Sequence, residues 1–176
     1  GGRGTADVPF AAPFASVTTP AGLNSVGAAG DGVYVASADV NDDGVPDFWY
    51  GFGGGRLFVS SPTGYVASTA ISSDVSNTNK VGAAFGDFDN DGKVDLFVPA
   101  YTVGQRGKLY RGLGNGTFVD VSIASGISNT GGQRSCCWGD YDNDGDLDLY
   151  IVGLNAVGNS LYRNEGNGTF TMVDER

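Results

Sequence analysis

The sequence predicts an all-β protein: a β-propeller built of four-stranded antiparallel blades, with three blade units in the chain. Three observations point there. A nine-residue acidic segment occurs three times, at 39–47, 87–95 and 140–148. Each copy is set among four short runs of aromatic and β-branched residues, in the same order each time. Of the 20 acids, 18 are Asp and only Glu165 and Glu175 are Glu. Glu favours helix and Asp favours caps and turns, so the acid of this chain sits in turns. No stretch sustains a 3.6-residue period, so helix should be scarce.

The elements follow in order. Short aromatic and β-branched runs bounded by Gly, Asn and Asp read as strands. In the first unit they fall at 33–37, 48–51, 56–60 and 65–68. In the second they fall at 82–85, 96–100, 108–111 and 118–122, and in the third at 134–138, 147–152, 160–164 and 170–173. The acidic segments start 48 and 53 residues apart, and the loop after each one absorbs nearly all the difference, as an exposed loop can. Asn115-Gly116 and Asn167-Gly168 are expected to supply the positive φ of tight hairpin turns. Four antiparallel strands repeating every ~40–50 residues is the blade pattern. The boundaries drawn are 1–17 for an N-terminal segment, then 18–69, 70–122 and 123–176 for the three units. Phe14-Ala-Ser-Val17 resembles a fourth strand and is expected to form an extra edge. Closed propellers take ~4–8 blades. Three units are therefore expected to be a fragment of a larger propeller or part of an oligomeric assembly.

Bulk numbers exclude several roles. The chain has 176 residues and a net charge of −10, with 10 Lys+Arg and no His. So few bases in an acidic chain cannot build the positive footprint that nucleic acid needs, and an anionic membrane surface is excluded by the same sign. No apolar run reaches a membrane span. Without His there is no imidazole base, and neither Ser nor Thr has a partner to activate it, so no enzyme is expected. The opening Gly1-Gly2-Arg3 reads as a processed or excised piece.

The acidic segments carry the chemistry. In the middle one, Asp87, Asp89 and Asp91 alternate, then Gly92 permits a sharp bend and Asp95 closes the set. A hard cation such as Ca²⁺ takes six to eight oxygens at ~2.3–2.6 Å. Alternate side chains in a tight curl can all turn inward on one ion, with the backbone carbonyl of Lys93 as a further donor. The same logic yields Asp39, Asn41, Asp43, Val45 (carbonyl) and Asp47. It also yields Asp140, Asp142, Asp144, Asp146 (carbonyl) and Asp148. Three Ca²⁺ sites are thus expected, the first weaker because Asn41 replaces an acid. Polar turns alone would not require four like charges within nine residues. An EF-hand needs Glu at the twelfth position, where Tyr50, Val98 and Ile151 stand here. Mg²⁺ prefers fewer protein ligands, and Zn²⁺ wants His or Cys.

Phe-Gly-Asp-Phe-Asp-Asn-Asp-Gly-Lys-Val-Asp-Leu-Phe-Val from 85 and Trp-Gly-Asp-Tyr-Asp-Asn-Asp-Gly-Asp-Leu-Asp-Leu-Tyr-Ile from 138 resemble the FG-GAP / VCBS-type repeat, as does the later Leu-Tyr-Arg-Asn-Glu-Gly-Asn-Gly-Thr-Phe. This is the calcium-binding blade of integrin-α-like propellers and of many secreted bacterial proteins, the ASPIC/UnbV-containing group among them. The resemblance spans roughly 33–173 and is weaker in the first unit, where Ser37-Ala38 replaces the aromatic-Gly pair. It implies a Ca²⁺ loop between the first and second strands of each blade, and an extracellular or cell-surface location. The function expected is a non-enzymatic calcium-binding module for adhesion, scaffolding or assembly. The alternative is a lectin-like carbohydrate-binding propeller. Partners expected are a protein or a second copy at the open blade edges, with a glycan held open.

Smaller features have ordinary structural explanations. Cys136 and Cys137 are expected to be small buried residues on opposite faces of an inner strand rather than a vicinal disulfide. Asn115-Gly-Thr117 and Asn167-Gly-Thr169 match the glycosylation sequon but are explained as turns. Arg106, Lys108, Arg111, Arg134 and Arg163 are expected to be isolated surface bases.

Overall fold

In the computed structural model, residues 34–51, 55–69, 71, 82–154 and 158–173 are described. They form twelve strands and no helix. The first blade holds β1 (Val35–Ala38), β2 (Asp47–Tyr50), β3 (Arg56–Val59) and β4 (Val66–Ala67). The second holds β5 (Ala84–Gly86), β6 (Asp95–Val98), β7 (Lys108–Gly112) and β8 (Phe118–Asp120). The third holds β9 (Gln133–Gly139), β10 (Asp148–Gly153), β11 (Ser160–Asn164) and β12 (Phe170–Val173). Each set is one four-stranded antiparallel sheet in sequence order. The chain is therefore three propeller blades, as the repeat predicts. No helix among the described residues is long and apolar enough to cross a membrane. The proposed edge strand Phe14–Val17 lies outside the described residues.

Side chains alternate across a strand, so a blade packed on both sides must be apolar on both faces. The middle blade shows this. In β6, Leu96 and Val98 join Val40, Trp49, Leu57 and Tyr110 in one core, shared with the first blade. Phe97, between them, joins Leu109, Leu149, Ile151, Tyr162 and Phe170 in a second core, shared with the third blade. All four β6 residues are buried. The first strands of the blades are neighbours, β5 lying beside both β1 and β9. Two bonds stitch this inner edge: Trp138 Nε1 donates to the Ala84 carbonyl at 3.1 Å, and Gly82 N–H to the Arg134 carbonyl at 2.8 Å. The aromatic-Gly pair has a steric reason. A Cβ on Gly86 would stand 2.7 Å from Trp138 Cδ1. The first blade carries Ala38 at this place, packed in the first core with Phe85.

Three expectations need correction. Cys136 is half-buried, its Sγ 3.8 Å from the Phe97 carbonyl, and burial pushes its thiol up; Cys137 is exposed rather than buried. Both are free. They do point to opposite faces, but Cys137 lies on the face turned away from the second blade. Three of the five bases are not isolated: Lys108 pairs with Asp120 and Arg163 with Glu165, each at 2.8 Å, and Arg134 is half-buried over the Tyr101 ring. Finally, Asn115 and Asn167 do not take the positive φ. The glycines around them do, at 73° and 76° for Gly114 and Gly116 and at 66° and 81° for Gly166 and Gly168. Asn115 and Asn167 instead accept the Thr117 and Thr169 N–H groups on Oδ1, at 3.1 and 3.0 Å.

Inter-blade packing makes a prediction. Phe97 is fully buried, whereas Ile123 is 87% exposed. Phe97→Ala should cost about 3–5 kcal/mol of unfolding free energy and Ile123→Ala less than about 0.5 kcal/mol, by urea denaturation. Equal costs would contradict the two-core arrangement.

Candidate metal centres

Each acidic segment is the β-hairpin loop between the first and second strands of its blade. Counting its nine residues, the loop is wound by backbone bonds that repeat in all three copies. The first Asp caps the curl. Asp39 accepts N–H groups from Asp43 at 3.1 Å and Gly44 at 2.7 Å. Asp87 accepts those of Asp91 at 3.0 Å and Gly92 at 2.8 Å, and Asp140 those of Asp144 and Gly145, both at 3.1 Å. The curl needs left-handed backbone twice. Gly44, Gly92 and Gly145 provide it at the sixth place, with φ of 81°, 82° and 96°. Asp42, Asn90 and Asn143 provide it at the fourth, with φ of 58°, 55° and 60°. Asn and Asp are the side chains that tolerate this region best. The fourth-place role was missed from sequence, although Asp or Asn stands there in all three copies.

The ninth Asp is the anchor. Asp47, Asp95 and Asp148 are buried and begin the second strands, one residue earlier than expected in the first two blades and one later in the third. One oxygen accepts the N–H of the loop's second residue: Val40 at 2.7 Å, Phe88 at 2.9 Å, Tyr141 at 2.9 Å. The other accepts an N–H at the end of the third strand: Ser60 at 2.6 Å, Gly112 at 2.8 Å, Asn164 at 2.8 Å.

The first, third and ninth carboxylates converge. Asp87, Asp89 and Asp95 bring one oxygen each within 4.8 Å of one another, and so do Asp140, Asp142 and Asp148. The fifth residues lie outside these groups. Asp91 accepts the Lys93 N–H at 2.9 Å and pairs with Lys93 Nζ at 3.1 Å. Asp144 accepts the Asp146 N–H at 2.9 Å. Asp43 accepts the Val45 N–H at 2.8 Å, the Ser60 hydroxyl at 2.6 Å and Asn41 Nδ2 at 3.0 Å. The seventh residues Val45, Lys93 and Asp146 are thus held through their N–H groups.

The electrostatics record crowding. Burial, reinforced by Asp89 and Asp87, pushes Asp95 up to about 7 against the two backbone N–H bonds it accepts. Desolvation, then Asp91, raises Asp89; desolvation, then Asp144 and Asp148, raises Asp142. The fifth residues go the other way. The Ser60 hydroxyl and the Val45 N–H lower Asp43, and the Lys93 bonds outweigh desolvation to lower Asp91. Two oxygens at the third place, Asn41 Oδ1 and Asp89 Oδ1, are buried with no hydrogen-bond partner. Buried acceptors are rarely left so, and a cation is a partner that would satisfy them. An all-oxygen donor set with surplus negative charge fits a hard divalent ion.

Blades of this kind with convergent acidic loops define a β-propeller binding module. The FG-GAP-like repeat family matches residues 39–98 and 100–151, and the chain belongs to that family. No curated protein matches the chain in sequence. Among solved structures it is similar to a lectin from Agrocybe aegerita described as recognising non-reducing terminal N-acetylglucosamine. That likeness has a TM-score of 0.49 and 18% identity, covering 80% of this chain and 38% of the other. The chain thus spans less than half of that lectin's length.

The anchor can be tested without metal. Asp95→Ala leaves the Phe88 and Gly112 N–H groups without their acceptor. In EDTA it should cost about 2–6 kcal/mol in urea unfolding, roughly 1–3 kcal/mol for each unsatisfied buried donor. An unchanged midpoint would contradict the anchoring role.

Proposed function

We propose that the three loops bind Ca²⁺ and that the chain is a non-enzymatic, extracellular binding module serving adhesion, scaffolding or assembly. The observation that carries this reading is the orphaned Asp89 Oδ1 among the converging carboxylates of the second loop, with Asn41 Oδ1 orphaned at the same place of the first. Asp87, Asp89 and Asp95 would hold one ion, Asp140, Asp142 and Asp148 another, and Asp39, Asn41 and Asp47 the third. The fifth carboxylates and seventh carbonyls are offered as further donors. The bound ion would supply positive charge that offsets carboxylate repulsion.

An extracellular location would suit sites of this kind. Extracellular sites have Kd near ~10⁻⁴–10⁻³ M, matched to millimolar Ca²⁺ outside cells. The absence of His from the sequence supports a binding rather than catalytic role. The partner proposed is a protein or a second copy, engaged through the outer strands β4, β8 and β12, which end their sheets among the described residues and offer edges for pairing, the Phe170 N–H of β12 being already taken by the Ser125 carbonyl.

At Kd ~10⁻⁴ M and about 1 mM Ca²⁺, each site adds about 1.4 kcal/mol. Three sites then raise the Tm by about 10 °C. Calorimetry in 1 mM Ca²⁺ and in EDTA should show that difference, and superposable transitions would sink the calcium reading. Sedimentation in Ca²⁺ should show a mass above that of one chain; a stable monomer would remove self-assembly from the proposal.

A further inference from the structure

The loops of the second and third blades are wired to each other. Asn164, at the end of β11, is 1% exposed. Its N–H holds the ninth-place carboxylate of its own loop, Asp148 Oδ1, at 2.8 Å. Its side-chain Nδ2 donates to the Phe88 carbonyl of the neighbouring loop at 2.7 Å, and to the Leu147 carbonyl at 3.1 Å. The N–H of Phe88 in turn holds Asp95 Oδ2 at 2.9 Å. One unbroken path of hydrogen bonds thus runs between the buried carboxylates of two candidate sites, through two residues. A second link crosses the surface, where Asn90 Nδ2 donates to Asp146 Oδ1 at 2.7 Å. Asn90 is the left-handed fourth residue of one loop, and Asp146 the seventh residue of the other.

The first and second blades lack this wiring. The residue in the place of Asn164 is Gly112, which holds Asp95 by its N–H but has no side chain to reach across. A Cβ there would stand 2.1 Å from the Val94 carbonyl oxygen. The Val40 carbonyl, equivalent to that of Phe88, is met instead by the Gly116 N–H at 2.9 Å. Gly116 lies in the β7–β8 hairpin turn and is not among the residues that hold Asp95.

We propose that the sites of the second and third blades bind cations as a coupled pair through Asn164 and Asn90, while the first site binds independently. This rests on the reading of the loops as cation sites. An ion that fixes Asp148 fixes the strand end carrying Asn164, and with it the Phe88 peptide that orients Asp95. By linkage the effect is the same in both directions. Asn164 and Asn90 are positioning residues, since neither is a proposed ligand.

The test reads each site separately. Gly44, Gly92 and Gly145 each donate an N–H to the first carboxylate of their own loop, so their amide resonances report that loop. Asp142→Ala removes the third-place donor and disables the third site while leaving the bonds of Asp148 and Asn164 in place. During Ca²⁺ titration it should raise the midpoint at Gly92 by about 5-fold, the low end of usual couplings. The midpoint at Gly44 should stay put. The same substitution is then made in an Asn164→Gly, Asn90→Gly background. Glycine copies the natural residue at 112 in one case and keeps the positive φ in the other. There the shift at Gly92 should fall below about 2-fold, because only the through-space effect of the lost charge remains. A Gly92 midpoint that Asp142→Ala does not move, or moves equally in both backgrounds, overturns the coupling while leaving the calcium sites standing. No response at any of the three glycines at about 10 mM Ca²⁺, well above ~10⁻³ M, overturns the calcium reading and the coupling with it.

Discussion

The buried aspartate that ends each acidic loop is the constraint on which the blade depends. Asp47, Asp95 and Asp148 each accept one N–H from their own loop and one from the end of the third strand. One carboxylate thereby ties the first hairpin to the third strand. Holding a charge there is expensive, because it leaves water and faces other carboxylates. Asp95, pushed up to about 7, shows the strain. Two backbone N–H bonds offset part of it, and the proposed divalent cation would offset the rest.

Stacking depends on that tie. A blade whose hairpin and third strand are locked together presents two faces of alternating side chains, and β6 uses both. Leu96 and Val98 close one core while Phe97 closes the other. The inner edge is held by fewer and more specific contacts, Trp138 over Gly86 and its indole N–H on the Ala84 carbonyl. The acidic loops and the inter-blade packing therefore meet at the same end of the inner strands, and Asn164 belongs to both.

Much of this was legible in sequence because a repeat multiplies the signal. Three copies of one pattern placed twelve strands within a few residues and identified the loops. The ninth residue was read as a ligand, but its bonds to two backbone groups were not: one joins positions 7 residues apart around the curl and the other positions 13 to 17 residues apart. The role of the fourth residue was hidden because Asn and Asp look like ligands or turns before they look like left-handed backbone. The fifth residues were grouped with the ligands by alternation alone. In the structure the loop's own N–H groups, Ser60 and Lys93 claim them. The exposure of Cys137 was missed because alternation gives the face of a residue but not whether that face is covered. Asn164 carried no signal of its own, for its partner Phe88 is 76 residues away.

The most direct test is anomalous diffraction from crystals grown in Ca²⁺. An ion in each loop, ~2.3–2.6 Å from the first, third and ninth side-chain oxygens, is the predicted result. Loops wound as described, with no anomalous peak between those oxygens, would contradict the account.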